Sequence, residues 1–121
     1  MTISFEASSL NAEDLRESPL APPIAQPLAG PITTRSQIMF SAERQGILAG
    51  VWECERGTSR WDFHERGEFI HVLSGRMTVR QDDGEPVEIT AGHTALFPVG
   101  WTGIWEVHER LRKVYVVFRA E

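Results

Sequence analysis

An aspartate, a histidine and a glutamate follow one another at short intervals near the middle of the sequence. Asp62 and His64 are two positions apart, and Glu68 follows His64 after three intervening residues. Carboxylate and imidazole groups bind divalent ions, and a metal site with open positions can polarise a bound water or substrate oxygen. The segment therefore predicts a metal site formed by Asp62, His64 and Glu68. If no metal is bound, Glu68 is the candidate catalytic acid or base.

These side chains must be positioned by β-strands. Residues two apart on a strand point to the same side, so Asp62 and His64 can converge, while Glu68 enters from the next strand after a turn at Arg66. The alternative interpretation is structural. In it, Asp62 and His64 hydrogen-bond each other, and Glu68 is satisfied by Arg60, Arg66 or a backbone amide.

From about residue 38 onward, short β-forming runs are separated by turn residues, a spacing typical of an all-β sandwich or barrel. "RMTVRQDDGEPVEIT" predicts an antiparallel hairpin with Met77, Val79, Val87 and Ile89 facing inward. The last run divides into two alternating sets, Val114, Val116 and Phe118 against Lys113, Tyr115, Val117 and Arg119. The sequence predicts one all-β domain over residues 37–121.

The segment before it, residues 1–36, is predicted to be a proline-rich arm. Five of the seven prolines lie in "SPLAPPIAQPLAGPI", which excludes a helix interior or a central strand. Before them, "NAEDLRE" predicts two helical turns with Asn11 as N-cap. The arm is expected to be either a partly ordered tail or an element packed on a partner subunit.

Composition excludes several classes of protein. The 121 residues suit one domain, and a formal charge of -5, from 12 basic and 17 acidic residues, provides no basic face for nucleic acid and no polybasic membrane patch. Cys54 is the only cysteine, which excludes an intrachain disulfide and favours a small core residue. Acidic residues interrupt the first twenty positions, so we expect a cytoplasmic protein without a membrane span.

Two segments resemble the cupin motifs. Asp62-x-His64, then Glu68 after three intervening residues and Gly75 after six more, match the second half of the first motif, with Asp62 where its first histidine belongs. "GHTALFPVG" matches the glycine and Pro-x-Gly spacing of the second motif, but Gly103 stands at its ligand position. "GVWECERGTSRWDF", "GEFIHVLSGRMTV" and "ALFPVGWTGIWEVHERLRKVYVVF" are similar to small single-domain cupins related to ureidoglycine aminohydrolases and to the ethanolamine-utilisation cupin.

The resemblance implies an RmlC-like jelly-roll barrel, an expected homodimer and a pocket at the barrel mouth. It implies a partial ligand set, because Gly103 has no side chain to supply the fourth ligand. The expected cofactor is a divalent metal, Mn, Fe, Ni or Zn, and the alternative is none. Trp105 shares the strand parity of Gly103 and should project into the barrel. The predicted substrate-binding residues are Arg60, Trp61, Phe97, Trp101 and Trp105.

Three functions remain open at this point. The first is a metal-free barrel that binds a small polar metabolite, nitrogen-containing or carboxylate, in an aromatic pocket. The second is a divalent-metal-dependent enzyme of ureide or amino-alcohol metabolism, as the resemblance implies. The third is a dimeric accessory subunit that interacts through its proline-rich arm. Because the fold hosts many activities, the sequence does not decide whether the protein is an enzyme.

Overall fold

The protein is built almost entirely of antiparallel β-strands. The computed structural model describes residues 1–22 and 24–120; Pro23, in the predicted arm, and Glu121, at the end of the predicted barrel domain, lie outside the described residues. The strands are β1 Arg16–Pro19, β2 Ala25–Pro27, β3 Thr33–Ala42, β4 Ile47–Cys54, β5 Gly57–Asp62, β6 Arg66–Gln81, β7 Val87–Thr90, β8 Thr94–Phe97 and β9 Thr102–Arg119. Short 3₁₀ turns lie at Ala7–Ser9, Ala12–Asp14 and Glu43–Gln45.

Two long strands, β6 and β9, pair along most of their length and join the two halves of the fold. The first half of β6 pairs with β8 on one side and with the end of β9 on the other. The end of β9 also pairs with β4, and β4 pairs with β3. The second half of β6 pairs with β7 and with the start of β9, which also pairs with β5. Trp52 on β4 contacts Trp61 on β5, so the two halves pack face to face. This arrangement is the predicted all-β jelly roll.

The core lies between these halves and contains most of the aromatic side chains. Met77, Val79 and Ile89 are buried, as the hairpin pattern predicted. Val87 is 54% exposed, contrary to the pattern. It begins β7, which pairs only with β6 among the described strands, so this edge has no neighbour to cover it.

The N-terminal arm packs on its own barrel. β1 pairs with β3, β2 pairs with β5, and β3 begins at Thr33, within the predicted arm. The predicted helical segment forms one 3₁₀ turn, in which the Asn11 backbone N–H donates to the Asp14 carboxylate. The Arg112 guanidinium donates to the carbonyl oxygens of Ala7 and Leu10. The arm therefore contributes strands to the barrel sheets.

No helix among the described residues is long and apolar enough to cross a membrane.

Candidate functional site

A buried ion pair between Glu68 and Lys113 lies inside the barrel. Glu68 is on β6 and Lys113 is on β9, and the Lys113 Nζ donates to Glu68 Oε2 at 2.5 Å. Their side chains are 7% and 2% exposed. The alternation of β6 that buries Ile70 and Val72 also turns Glu68 inward, as the sequence predicted. A buried charge is tolerated only when it is paired, and each of these groups provides the partner of the other.

Three tryptophans surround the Lys113 ammonium. Its Nζ lies 4.2 Å from the ring centroid of Trp52, 4.7 Å from that of Trp105 and 5.5 Å from that of Trp61. Trp61 and Trp105 stack on each other with centroids 3.8 Å apart. A cation over an aromatic face is attracted by the negative potential of the ring, most strongly for tryptophan. We call these three rings the aromatic cage.

Lys113 is a cavity-lining residue that the sequence interpretation missed. It is the only lysine in the chain; the other eleven of the 12 basic residues are arginines. The signal in the sequence that could have identified Lys113 is that it is a single lysine on an alternating strand, in the same set as Tyr115. Charged strand residues usually face solvent, so alternation alone did not show that Lys113 belongs to the inward set.

A cavity of about 290 Å³ opens beside this pair. Glu68, Lys113 and Tyr115 line it together with the cage residues Trp52 and Trp61. Arg66 also lines the cavity, and part of the wall is formed by the arm residues Ser18, Pro19, Leu20, Ala21, Ile24 and Ala25. A wider groove adjoins it, shares Arg66 with it, and extends to His64, Glu65 and Arg119.

Burial changes the proton affinities of the groups around the cavity. Burial lowers the pKa of Lys113, and the attraction of Glu68 opposes this change. Burial raises the pKa of Tyr115, and the nearby negative charge of Glu68 raises it further. Burial raises the pKa of the Cys54 thiol to about 12, consistent with the predicted core cysteine rather than a nucleophile.

The three predicted metal ligands do not come together. Asp62 and His64 are 50% and 56% exposed and contact each other, Asp62 Oδ1 to His64 Nδ1 at 3.3 Å. Glu68 lies in the interior, where Lys113 engages its carboxylate. Within residues 1–22 and 24–120, no group of three or more His, Cys, Asp or Glu side chains has a geometry that could hold a metal ion. The donor set of the described residues therefore does not fit a metal.

Gly103 occupies a position that admits no side chain. A Cβ built there would lie 2.2 Å from the Arg80 carbonyl oxygen and 2.8 Å from the Trp101 ring. β9 approaches β6 so closely at this point that a fourth ligand on β9 would displace backbone. The glycine at the ligand position is thus explained by packing.

The predicted substrate-binding residues occupy different places. Trp61 lines the cavity, and Trp105 is fully buried in the cage. Phe97 and Trp101 pack on each other in the core, with ring centroids 5.0 Å apart, and are 2% and 7% exposed. Arg60 lies on the outside, where its guanidinium pairs with Asp82 at 2.6 Å.

The antiparallel jelly-roll fold is that of a cupin. The family model for the EutQ-like cupin domain matches residues 42–115, and the chain belongs to this family. This finding confirms the predicted relationship to the ethanolamine-utilisation cupin. A comparison with curated proteins finds no match.

Solved structures show the same fold. The Clostridium difficile EutQ protein is 22% identical with a TM-score of 0.63, covering 74% of this chain and 65% of that protein. A protein with unknown function from Pseudomonas syringae pv. tomato is 22% identical with a TM-score of 0.74, covering 93% of this chain and 46% of that one. A putative ethanolamine utilization protein Q from Salmonella typhimurium is 22% identical with a TM-score of 0.60, covering 74% and 71%. The chain spans less than two thirds of the first two proteins.

Proposed function

We propose that the protein binds a small carboxylate metabolite in the cavity between Arg66 and the Glu68–Lys113 pair, without a metal ion. The charge of the cavity wall carries the proposal. Two cations, Arg66 and Lys113, and one carboxylate, Glu68, line it, which leaves one net positive charge. None of the ion pairs among the described residues involves Arg66, so its guanidinium can take a ligand carboxylate in bidentate geometry.

The remaining wall suits a small ligand with an apolar part. A volume of about 290 Å³ is at the lower end of small-molecule pockets. Leu48 and the two lining tryptophans provide apolar contact, and Tyr115 also lines the cavity. This combination favours a short-chain carboxylic acid over a nucleotide or a sugar phosphate.

Binding measurements on paired arginine variants test this proposal. We expect a panel of short carboxylates to bind in isothermal titration calorimetry, whereas their amides do not. Arg66→Met should weaken carboxylate binding at least about tenfold, equivalent to about 1.4 kcal/mol. Arg60→Met is the matched control, because Arg60 lies outside the cavity and pairs with Asp82. Equal loss in both variants, or equal binding of acids and amides, would contradict a carboxylate site at Arg66.

The divalent-metal-dependent enzyme of ureide or amino-alcohol type is the alternative function. It requires Glu68 to exchange its contact with Lys113 for a contact with the ion. We expect protein purified without chelator or nickel resin to contain far less than one equivalent of Mn, Fe, Ni or Zn. Elemental analysis checks this expectation. Near-stoichiometric metal that is lost in Glu68→Ala would support the metal enzyme instead.

The homodimer expected from the resemblance stays a prediction, as does a cytoplasmic location. Sedimentation velocity on the full chain measures the oligomeric state directly. Arm residues such as Leu20 and Ile24 line the cavity, so the oligomeric state also bears on how the proposed site is built.

A further inference from the structure

The only lysine of the chain, Lys113, is among the residues that line the cavity of about 290 Å³. Its Nζ contacts a carboxylate, Glu68 Oε2, at 2.5 Å, and the aromatic cage fixes its position. Binding a carboxylate at Arg66 does not by itself require an amine deeper in the barrel. An arginine could also pair with the Glu68 carboxylate, and eleven arginines occupy the other basic positions. The unusual choice of lysine therefore points to amine chemistry.

We propose that Lys113 condenses with the carbonyl carbon of a small 2-oxo acid to form an imine, while Arg66 holds the carboxylate of that acid. The inference deepens the proposed function and rests on it, because it names the class of carboxylate and its reaction. In a 2-oxo acid the carbonyl adjoins the carboxylate, so a short ligand presents both groups to one cavity wall. Glu68 is the group that exchanges protons with the amine.

The condensation balances without an oxidant or a reductant. The Lys113 ammonium gives one proton to Glu68, and the free amine forms an N–C bond to the carbonyl carbon. A proton moves from nitrogen to the former carbonyl oxygen, giving a neutral carbinolamine. Glu68 then returns its proton to the hydroxyl group, the C–O bond breaks, and water leaves. The product is an iminium that carries the one positive charge of the original ammonium.

The surroundings of Lys113 favour both the reacting amine and the iminium product. Burial in an apolar site lowers the pKa of an amine, which is one way in which proteins activate lysine as a nucleophile. The iminium remains a cation at the position of Nζ, so the faces of Trp52 and Trp105 and the Glu68 carboxylate continue to stabilise it. The cage thus favours an amine adduct that keeps its charge over a neutral one such as an amide.

Reductive trapping tests the imine. The full chain is incubated with pyruvate, reduced with borohydride, and analysed by intact mass and peptide mapping. We expect one reduced adduct per chain, located at Lys113. The amine at Met1 is the only competing primary amine in this sequence, so an adduct found there alone would overturn the proposal. Mapping the wild-type protein locates the adduct even if a Lys113 variant fails to fold.

Two comparisons separate this inference from the proposed function. Arg66→Met should lower the adduct yield from pyruvate at least tenfold but leave the yield from its uncharged methyl ester within about twofold. Lys113→Arg should form no adduct. If calorimetry shows pyruvate binding that depends on Arg66 and borohydride traps nothing at Lys113, the imine is wrong and the carboxylate site stands. If no carboxylate binds and nothing is trapped, both proposals are wrong.

Discussion

We expect that breaking the buried ion pair of Glu68 and Lys113 destabilises the fold by more than the intact pair stabilises it. Removing one partner of a buried pair leaves the other charged without compensation, which typically costs about 3–5 kcal/mol. We therefore expect Lys113→Met to lower the free energy of unfolding by about this amount. The double variant Glu68→Leu with Lys113→Met should be more stable than Lys113→Met alone, because no uncompensated charge then remains.

Urea denaturation followed by tryptophan fluorescence measures both effects. Arg60→Met is the control, since the Arg60–Asp82 pair is exposed and its loss should change stability little. A Lys113→Met variant as stable as Arg60→Met would contradict the view that Glu68 depends on Lys113 for its charge compensation.

For individual residues, the sequence predicted that the side chains of Glu68 and Trp105 face the barrel interior, but it did not predict which side chains they contact there. Strand alternation fixes which side a residue faces, and this information sufficed for both. It does not identify contacts between strands, because these depend on the register. In the pairing of β6 with β9, Glu68 lies opposite Val117 and Lys113 lies opposite Val72, so the contact between the two charged side chains runs diagonally across the strands and was not visible in the sequence.

Among the elements, β6 shows how one long strand serves both halves of the barrel. The hairpin predicted from the sequence begins at Arg76, whereas the structure has one strand, residues 66–81, with a register irregularity around Gly75. Gly75 has a φ of +91°, and a Cβ there would lie 2.1 Å from the Arg110 carbonyl oxygen. Only glycine allows β6 to bend at this close approach to β9.

Two alanine substitutions separate the two reasons for glycine at position 75, which are the positive φ and the close approach to the Arg110 carbonyl oxygen. Gly92 has the same φ of +91°, but a Cβ there would meet no atom within 4 Å. Gly92→Ala should therefore cost only the backbone strain, about 1 kcal/mol. Gly75→Ala carries the strain and the collision with β9, and we expect it to cost at least about 3 kcal/mol. Thermal and urea unfolding provide the comparison, and equal losses would show that the approach to Arg110 is relaxed at no cost.

At the scale of the whole molecule, the N-terminal arm pairs with strands of the barrel and also forms part of the cavity wall. The sequence showed correctly that prolines exclude a helix interior and a central strand, and β1 and β2 indeed lie at the ends of the strand order. It could not show which surface the arm covers. That choice depends on contacts distant in sequence, such as the Arg112 guanidinium on the carbonyl oxygens of Ala7 and Leu10.

Hydrogen exchange tests whether the arm belongs to its own barrel. Backbone amides in β1 and β2 that bond to β3 and β5 should exchange at least about tenfold more slowly than in an unstructured peptide, since opening them requires separating sheet strands. Residues 1–5, which have no regular structure, provide the fast-exchanging control.

Hydrogen exchange measured at several protein concentrations distinguishes three arrangements of the arm. These are pairing within one chain, pairing with another chain, and a free tail. Strands that pair within one chain should keep the same protection on dilution, because the contact is intramolecular. Protection of β1 and β2 that disappears on dilution would show that the arm pairs with another chain, and fast exchange at all concentrations would show a free tail. In either case Leu20 and Ile24 would no longer wall the cavity beside Lys113, so the outcome also determines whether the ligand site is complete in a single chain.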